Sequence, residues 1–235
     1  MTKKITEDLL NRKRLSRRSF LKLSGTAALG MAAGSIFPGG VWLDRAVAAI
    51  PVSLGYLLVD TKKCQGCLSC MLACSLVHEG VEDLSLSRIQ VVQDSLQKWP
   101  EDLSVEQCRQ CVDPACVRSC PTGALRSDPR FGNVRAVDAG KCVGCKKCLS
   151  ACPFPPGRTV WNPAARRAAK CDLCAGAPHH WDKAGGGPGG KQACVEVCPV
   201  KAIKFTAEIP VQEGDTGYKV NLRGPEWRRL GYPTK

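Results

Sequence analysis

Residues 142–153 read CVGCKKCLSACP, a run in which two, two and three residues separate four cysteines and a proline follows the last. The chain has 16 cysteines, and they fall into four groups of four, numbered here along the sequence. The groups are Cys64, Cys67, Cys70 and Cys74; Cys108, Cys111, Cys116 and Cys120; Cys142, Cys145, Cys148 and Cys152; and Cys171, Cys174, Cys194 and Cys198. The arrangement of these thiols dominates the interpretation of the sequence.

Three kinds of chemistry use closely spaced cysteines. An even count favours disulfides in an oxidising compartment, but a C-x2-C-x2-C run places its thiols in one tight turn instead of joining distant segments. Structural zinc sites need paired C-x2-C knuckles, which leaves the third cysteine of groups one and three without a role. Iron–sulfur clusters explain every cysteine, because in the bacterial ferredoxin run three thiolates bind one cluster and the fourth binds its neighbour. The spacing favours clusters, with disulfides and zinc as alternatives.

The residues around the cysteines fit iron–sulfur chemistry. Two intervening residues let the chain curl so that backbone N–H groups point at the sulfurs. Gly66 and Gly144 stand at the same place in groups one and three, where we expect a positive φ. The three-residue gap suits one helical turn, which the proline after groups two, three and four ends. Ser75 stands in that place in group one, which changes the turn but not the number of ligands.

The sequence contains two internal repeats. Residues 59–67 align with 137–145, and residues 115–121 align with 193–199, so group one resembles group three and group two resembles group four. Stretches rich in β-forming residues flank the groups at 56–59, 88–92, 134–137 and 202–205. We therefore expect an α+β fold, a duplicated bacterial-ferredoxin-like structure with small antiparallel sheets and short helices around iron–sulfur clusters. Metal bonds would supply much of its folding free energy.

The first 48 residues differ from the rest of the chain. A basic start leads into residues 16–22 (SRRSFLK), residues 23–43 carry no charge, and residues 46–48 (AVA) have the small-x-small pattern that signal peptidase accepts. These features predict a twin-arginine export signal. A single-pass anchor is the alternative, although glycines and Pro38 weaken a helix there. Because the twin-arginine route exports folded proteins, this signal also predicts a cofactor inserted before export.

The four cysteine groups resemble those of the four-cluster ferredoxin-type electron-transfer subunits of the dimethyl sulfoxide reductase group. Similar chains serve polysulfide, thiosulfate and tetrathionate reductases, and others partner tungsten aldehyde oxidoreductase-like enzymes. The resemblance covers about residues 56–206 and implies four 4Fe-4S clusters, with group one paired to group four and group two to group three. The implied ligand sets are set A, Cys64, Cys67, Cys70 and Cys198; set B, Cys74, Cys171, Cys174 and Cys194; set C, Cys108, Cys111, Cys116 and Cys152; and set D, Cys120, Cys142, Cys145 and Cys148.

The resemblance also implies a function. The chain would be a non-catalytic subunit that relays electrons between a catalytic molybdenum or tungsten pterin subunit and a membrane quinone-linked or soluble partner. A free-standing periplasmic polyferredoxin is the alternative. We expect a signal peptide at 1–48, a four-cluster domain of two interleaved units at 49–206, and a C-terminal docking tail at 207–235. The expected location is the periplasm or the outer face of the cytoplasmic membrane.

The net charge of +13 invites a nucleic-acid interpretation. Without residues 1–48, 25 Lys and Arg stand against 18 Asp and Glu, which leaves +7. Each oxidised cluster with four thiolates carries about −2, so four clusters bring the mature protein to about −1. The basic excess is therefore explained by the signal and by the counter-charge of the clusters, and no nucleic-acid partner is expected.

Other conspicuous residues receive ordinary structural interpretations. We expect His78, His179 and His180 at the surface or at an interface, because sixteen thiolates already fill four clusters. Residues 175–191 are rich in glycine but lack the Gly-Lys-Ser/Thr ending of a phosphate loop, and we interpret them as a flexible or partner-docking insertion. Trp161 and Phe154 are expected to pack over cluster loops.

Overall fold

The computed structural model of the chain describes residues 49–232, so the predicted signal at 1–48 and the last three residues lie outside the described part. The strands are β1 (Tyr56–Val59), β2 (Gln90–Gln93), β3 (Leu103–Glu106), β4 (Leu125–Asp128), β5 (Val134–Val137), β6 (Thr159–Asn162), β7 (Arg167–Lys170) and β8 (Ile203–Thr206). The helices are α1 (Ser69–Glu79), α2 (Ala115–Arg118), α3 (Lys147–Ser150), α4 (Ala193–Glu196) and α5 (Pro225–Arg229). Among residues 49–232, no helix is long and apolar enough to cross a membrane.

The strands form four separate two-stranded antiparallel sheets, β1–β8, β2–β3, β4–β5 and β6–β7. This confirms the predicted α+β fold of small antiparallel sheets and short helices. The sheet β1–β8 pairs Tyr56 with Thr206, so the strand before group one lies beside the strand after group four. The sheet β4–β5 pairs Leu125 with Val137, and it joins the strand after group two to the strand before group three. The topology thus interleaves the two repeats.

Two predicted strands have the observed bounds and two are shifted. Residues 56–59 and 134–137 form β1 and β5 as predicted. The strand predicted at 202–205 begins one residue later, because the Ala202 N–H donates to the Cys198 Sγ at 3.2 Å. The strand predicted at 88–92 begins at Gln90, and the Arg88 N–H donates to the Cys74 Sγ at 3.3 Å. The backbone N–H groups of Arg88 and Ala202 thus bond to cysteine sulfurs and not to a neighbouring strand.

Helix α1 has 11 residues, whereas α2, α3 and α4 have four each. Proline after the last cysteine restricts the residue before it and ends the helical turn in groups two, three and four. In group one the buried Ser75 Oγ donates to the Leu72 carbonyl at 3.0 Å and accepts from the Asp83 N–H at 3.1 Å. The helix therefore continues to Gly80, whose φ of 73° closes it in the left-handed conformation.

The C-terminal segment packs against its own chain. Val59 donates to the Tyr218 carbonyl at 2.8 Å and accepts from the Val220 N–H at 3.0 Å, so residues 218–220 lie beside β1. The buried Asp60 carboxylate accepts from the Leu222 N–H at 2.8 Å and from the Arg223 Nε at 2.9 Å. Docking of the segment 207–235 on another subunit remains a prediction.

Candidate metal centres

Each C-x2-C loop has a left-handed residue directly before its second cysteine. The four are Gly66, Gln110, Gly144 and Leu173, with φ of 66°, 46°, 70° and 56°. The positive φ of the two glycines was predicted from the repeat. The other two were missed, because left-handed backbone strains residues with a side chain. Their place in the cysteine spacing is the signal that reveals them, since all four loops need the same curl.

The strained Gln110 is held by hydrogen bonds on both sides of its side chain. Its Nε2 donates to the Cys171 carbonyl at 2.8 Å, and its Oε1 accepts from the Arg135 N–H at 2.7 Å. The side chain is fully buried. These bonds tie the loop of group two to the loop of group four and to β5, and they hold the strained backbone in place.

Three of the predicted cysteine sets each line a single cavity. All four cysteines of set A line a cavity closed by apolar residues such as Val91 and Ile203. Set C lines a second cavity beside Phe154, and set D lines a third beside Leu125 and Val137. Residues from groups far apart in sequence thus converge around one space in each case.

Set B forms the most deeply buried group. Its four cysteines are all buried. Cys194 lies near Cys174, Cys171 and Cys74, and burial together with these neighbours raises its pKa well above the ordinary value. The structure therefore also brings together the cysteines of this set.

Neighbouring thiols place the sets in a row. Cys194 of set B lies within electrostatic reach of Cys70 of set A. Cys171 of set B is likewise close to Cys108 of set C, and Cys148 of set D is close to Cys116 of set C. The order is A, B, C, D. Among the cysteines, Cys67 and Cys145 are the exposed ones, and they belong to the two end sets.

Backbone amide groups point at the sulfurs, as the spacing predicts. The last cysteine of each group accepts an N–H at the Sγ atom. These bonds are Arg88 to Cys74 at 3.3 Å, Leu125 to Cys120 at 3.3 Å, Arg158 to Cys152 at 3.3 Å and Ala202 to Cys198 at 3.2 Å. Amide dipoles directed at sulfur stabilise negative charge there, which an iron–sulfur cluster carries.

Burial makes at least one free thiolate unfavourable in every set, although at Cys74 and Cys120 hydrogen bonds outweigh burial and lower the pKa. Burial raises the pKa of Cys70 and Cys174 to about 12 and that of Cys111 and Cys148 to about 11. A buried thiolate needs a compensating cation, and metal binding supplies one. Within residues 49–232, no three His, Cys, Asp or Glu side chains are arranged to hold a single metal ion. Four cysteines around one cavity, too far apart to hold a single ion, are called an open cysteine quartet here. Such a quartet suits a four-iron cluster, in which each thiolate binds a different iron.

His78 lies in the interior, so the prediction that it is a surface or interface residue is wrong. It is 5% exposed, its Nδ1 lies 3.7 Å from the Cys74 Sγ, and its Nε2 lies 2.9 Å from the Asp172 Oδ1. Burial lowers the pKa of His78, but its hydrogen bonds to Asp172 and Cys74 outweigh burial and raise the pKa to about 9. The spacing of four residues from Cys74 on a helix is the sequence signal, because such residues share a face.

The other predicted neighbours of the cysteines have distinct positions. Phe154 lines the set C cavity. Trp161 packs against the loop of group three, where a Cβ at Gly144 would lie 3.2 Å from its ring. His179 is exposed and His180 is half-buried against Trp181. Both aromatic predictions, that Phe154 and Trp161 pack over cysteine loops, agree with these contacts.

The insertion at 175–191 folds back onto group four. The Gly187 N–H donates to the Leu173 carbonyl at 2.7 Å, and the Gln192 Nε2 donates to the Gly187 carbonyl at 2.8 Å. A Cβ at Gly186 would lie 2.4 Å from the Cys174 carbonyl carbon. Glycine therefore serves close packing over Cys174 in this segment.

The interleaved fold and the open cysteine quartets define a ferredoxin-type iron–sulfur protein. Residues 101–208 match the family described as the 4Fe-4S dicluster domain. YsaA of Escherichia coli (strain K12) is 34% identical over 156 residues, 63% of this chain and 87% of YsaA. The thiosulfate reductase electron transfer subunit PhsB of Salmonella typhi is 36% identical, over 63% of this chain and 73% of PhsB. One subunit of the anaerobic dimethyl sulfoxide reductase of Escherichia coli (strain K12) is 33% identical, over 67% of this chain and 76% of that subunit.

This protein belongs to the family of ferredoxin-type iron–sulfur electron-transfer subunits of oxidoreductases, and the predicted resemblance is confirmed. It is an electron-transfer subunit and not a catalytic one, in line with relatives that are named an electron transport protein and an electron transfer subunit. Two further relatives are much longer proteins, of which this chain spans 31% and 22%.

Proposed function

We propose that sets A, B, C and D each hold one 4Fe-4S cluster and that electrons pass along them in that order between two redox partners. The row of adjacent quartets with one exposed cysteine at each end is the observation that supports this proposal most strongly. When bound, a 4Fe-4S cluster supplies reversible one-electron chemistry.

The protein residues have three roles toward the four proposed clusters: they fix the cluster positions, exclude water from them and bring the two end clusters to the surface. The cysteines fix the positions of neighbouring centres, because the last cysteine of each group would bind a different cluster from the first three. Apolar side chains such as Val91, Val105 and Ile203 exclude water around set A. Burial of all set B thiols keeps the middle of the row away from solvent and oxidants. Cys67 and Cys145 bring the two end sets to the surface, where a partner can exchange an electron.

The partners that we propose are a catalytic molybdenum or tungsten pterin subunit and a quinone-linked membrane subunit or soluble carrier. The support is the family, which includes subunits named for thiosulfate reductase and dimethyl sulfoxide reductase. Affinity purification of the full-length chain from its native cells, followed by metal analysis, tests this assignment. A stable heteromer that contains molybdenum or tungsten is expected, whereas a monomer alone would support the free polyferredoxin.

We also propose export by the twin-arginine route to the periplasm, on the basis of residues 16–22 and 46–48. The double substitution Arg17→Lys and Arg18→Lys is expected to retain the protein in the cytoplasm. Lys13→Arg, a matched change outside the arginine pair, should leave export unchanged. Cell fractionation measures both, and equal export of the two variants would refute the proposed route.

Loss of single ligands tests the assignment of the four sets. Cys198→Ser and Cys152→Ser are expected to alter one centre each, that of set A and that of set C, in electron paramagnetic resonance (EPR) spectra of the reduced protein. Ser150→Ala, an exposed change close to Cys152, is the control. If both cysteine variants alter the same centre, the proposed pairing of groups is wrong.

A further inference from the structure

Four basic side chains line the set C cavity, and all are buried. They are Arg109, Arg135, Arg158 and Lys170, which are 2%, 0%, 6% and 3% exposed. They come from four places in the chain: the loop of group two, β5, the segment before β6, and the end of β7. A buried charge is costly unless another charge compensates it, so this concentration of cations requires an anion.

The protein compensates these cations only in part. The carboxylates paired with them are Asp215, which accepts from Arg109, and Glu106, which forms an ion pair with Arg158. The Arg135 guanidinium donates to neutral oxygens, including the Cys111 carbonyl at 2.8 Å. The Lys170 ammonium group lies close to the Cys108 thiol.

Several donors at this site also lack hydrogen-bond partners within the described part of the chain. These atoms are Nε and Nη1 of Arg109, Nε of Arg135 and Nε of Arg158. Native proteins leave few buried polar groups unpaired, and those that remain mark a missing partner or a stored strain. Positive charge in excess of carboxylates, next to four thiols, fits an anionic cluster bound by those thiols.

The other sets lack this excess. Of the described residues that line the set A cavity, none is charged. Set D has one lysine in its lining, Lys146, which is exposed and lies over the Trp161 ring. Beside set B, the acids Asp172 and Glu79 balance Arg88 and His78, with Arg88–Asp172 at 3.1 Å, Arg88–Glu79 at 3.4 Å and His78–Asp172 at 2.9 Å. Buried positive charge is therefore concentrated at set C.

Reduction of a 4Fe-4S cluster adds one electron and no proton, so with four thiolates the formal charge changes from −2 to −3. Fixed positive charge favours the more negative state and raises the reduction potential, which in these clusters depends on charge and hydrogen bonds. Guanidinium groups stay protonated at any working pH.

We propose that Arg109, Arg135, Arg158 and Lys170 make the set C centre the highest-potential centre of the row. This inference rests on the proposed function, since it requires four bound clusters. The first electron that a reduced partner donates then comes to rest at set C. The partner loses one electron and the set C centre gains it. The chain would store one electron in its interior, between sets B and D, until the second partner is in place.

An anaerobic redox titration of the intact holoprotein, followed by EPR, tests the inference. Lys170→Met and Arg135→Met are each expected to shift the first signal to appear on reduction toward lower potential. The shift should correspond to at least a tenfold change in the partition of the electron, about 59 mV for one electron. The other three centres should move less. Lys170→Arg keeps the charge, so the first midpoint should stay at the value of the unsubstituted protein. Lys146→Met at set D is the matched control.

Three further measurements distinguish failure of this inference from failure of the proposed function. Cys152→Ser must change the spectrum of that same first signal, because this residue belongs to set C. An unchanged first midpoint in both charge variants, with four clusters present, overturns the inference. Iron and sulfide analysis of every variant separates this from failure of the proposed function, in which the unsubstituted protein itself would lack the clusters. If the Met variants do not fold, the milder Arg158→Gln and Arg158→Lys pair tests the same charge at another position.

Discussion

The loops of groups one and three share a backbone and differ in their side chains. Residues 64–70 (CQGCLSC) and 142–148 (CVGCKKC) both have positive φ at the third position, 66° and 70°, and at the fifth, 59° and 60°. Both present an exposed second cysteine, Cys67 and Cys145. The cysteine spacing therefore determines the backbone conformation of the loop. The side chains at the other positions determine its contacts with the surroundings.

The surroundings of the two loops differ in charge and in cover. Residues 139–171 contain seven Lys and Arg and no Asp or Glu. In the loop of group three, Lys141, Lys146 and Lys147 are exposed. Lys63, the counterpart of Lys141, is instead buried, and its Nζ donates to the Leu222 carbonyl at 3.0 Å. The set A cavity is thus lined by uncharged residues and bordered by the C-terminal segment, while exposed lysines surround the group three loop at the set D end.

Removal of the C-terminal segment, which borders the set A end, should have the largest effect. Truncation after residue 206 removes the buried Tyr218, the strand-like pairing with Val59 and the contacts to Asp60. Loss of the tyrosine alone should cost about 3–5 kcal/mol. We expect sets A and C to lose iron before set D does. Iron content and anaerobic denaturant unfolding measure the effect, and a truncated chain with unchanged stability and four clusters would contradict it.

Alanine substitution at Gly66 and at Gly144 should affect group one and group three to different extents. A Cβ at Gly144 would lie 2.9 Å from the Arg166 carbonyl oxygen, whereas a Cβ at Gly66 meets only the flexible Leu103 side chain at 3.3 Å. Both changes add left-handed strain of about 1–2 kcal/mol. Gly144→Ala should therefore cost more stability and lose the set D centre, while Gly66→Ala keeps the set A centre.

The control for the glycine changes is Gly140→Ala. Its backbone lacks a positive φ, and its added Cβ would meet the Asp138 Oδ1 at 3.5 Å. Urea unfolding and EPR of the three variants should rank them Gly144, Gly66, Gly140 from most to least affected. An equal loss at Gly66 and Gly144 would show that packing around the loop does not matter.

Added negative charge should slow electron transfer more at the set D end than at the set A end. We expect the basic set D end to meet acidic partners, because complementary charge speeds association and salt screens it. Lys146→Glu with Lys147→Glu should slow electron transfer from the reduced holoprotein to an acidic one-electron acceptor protein by about tenfold at low salt. Stopped-flow absorbance measures the rate. Ser69→Glu, at the position of group one that matches Lys147, should have a smaller effect.

The smallest expected effect concerns Ser75, which stands where group three has Pro153. Its hydroxyl donates to the Leu72 carbonyl and accepts from the Asp83 N–H. Ser75→Ala should lower the free energy of unfolding by about 1 kcal/mol, because one hydrogen bond is lost and one amide is left unpaired. The four centres should remain. Loss of the set B centre in this variant would mean that the hydroxyl positions Cys74 directly.

The sequence predicts local features well and distant contacts poorly. The cysteine spacing reveals the four groups and the turns at Gly66 and Gly144, and stretches of β-forming residues reveal four strands to within two residues at their starts, because these features depend on nearby residues. The burial of His78 depends on Asp172, which lies 94 residues away. The cations around set C come from four separate segments, and neither their burial nor their convergence has a local pattern. Helix α1 continues past Cys74 because Ser75 stands in place of proline. The hydrogen bond from the Asp83 N–H to the Ser75 hydroxyl is not evident from the sequence.

Iron and acid-labile sulfide analysis of the anaerobically purified full-length protein, combined with EPR of its reduced form, tests the four-cluster proposal most directly. Four cubanes predict about 16 iron and about 16 sulfide per chain. The reduced spectrum should contain four centres with magnetic coupling between neighbours in the row. A colourless protein that holds zinc or disulfides and no iron would contradict the proposal.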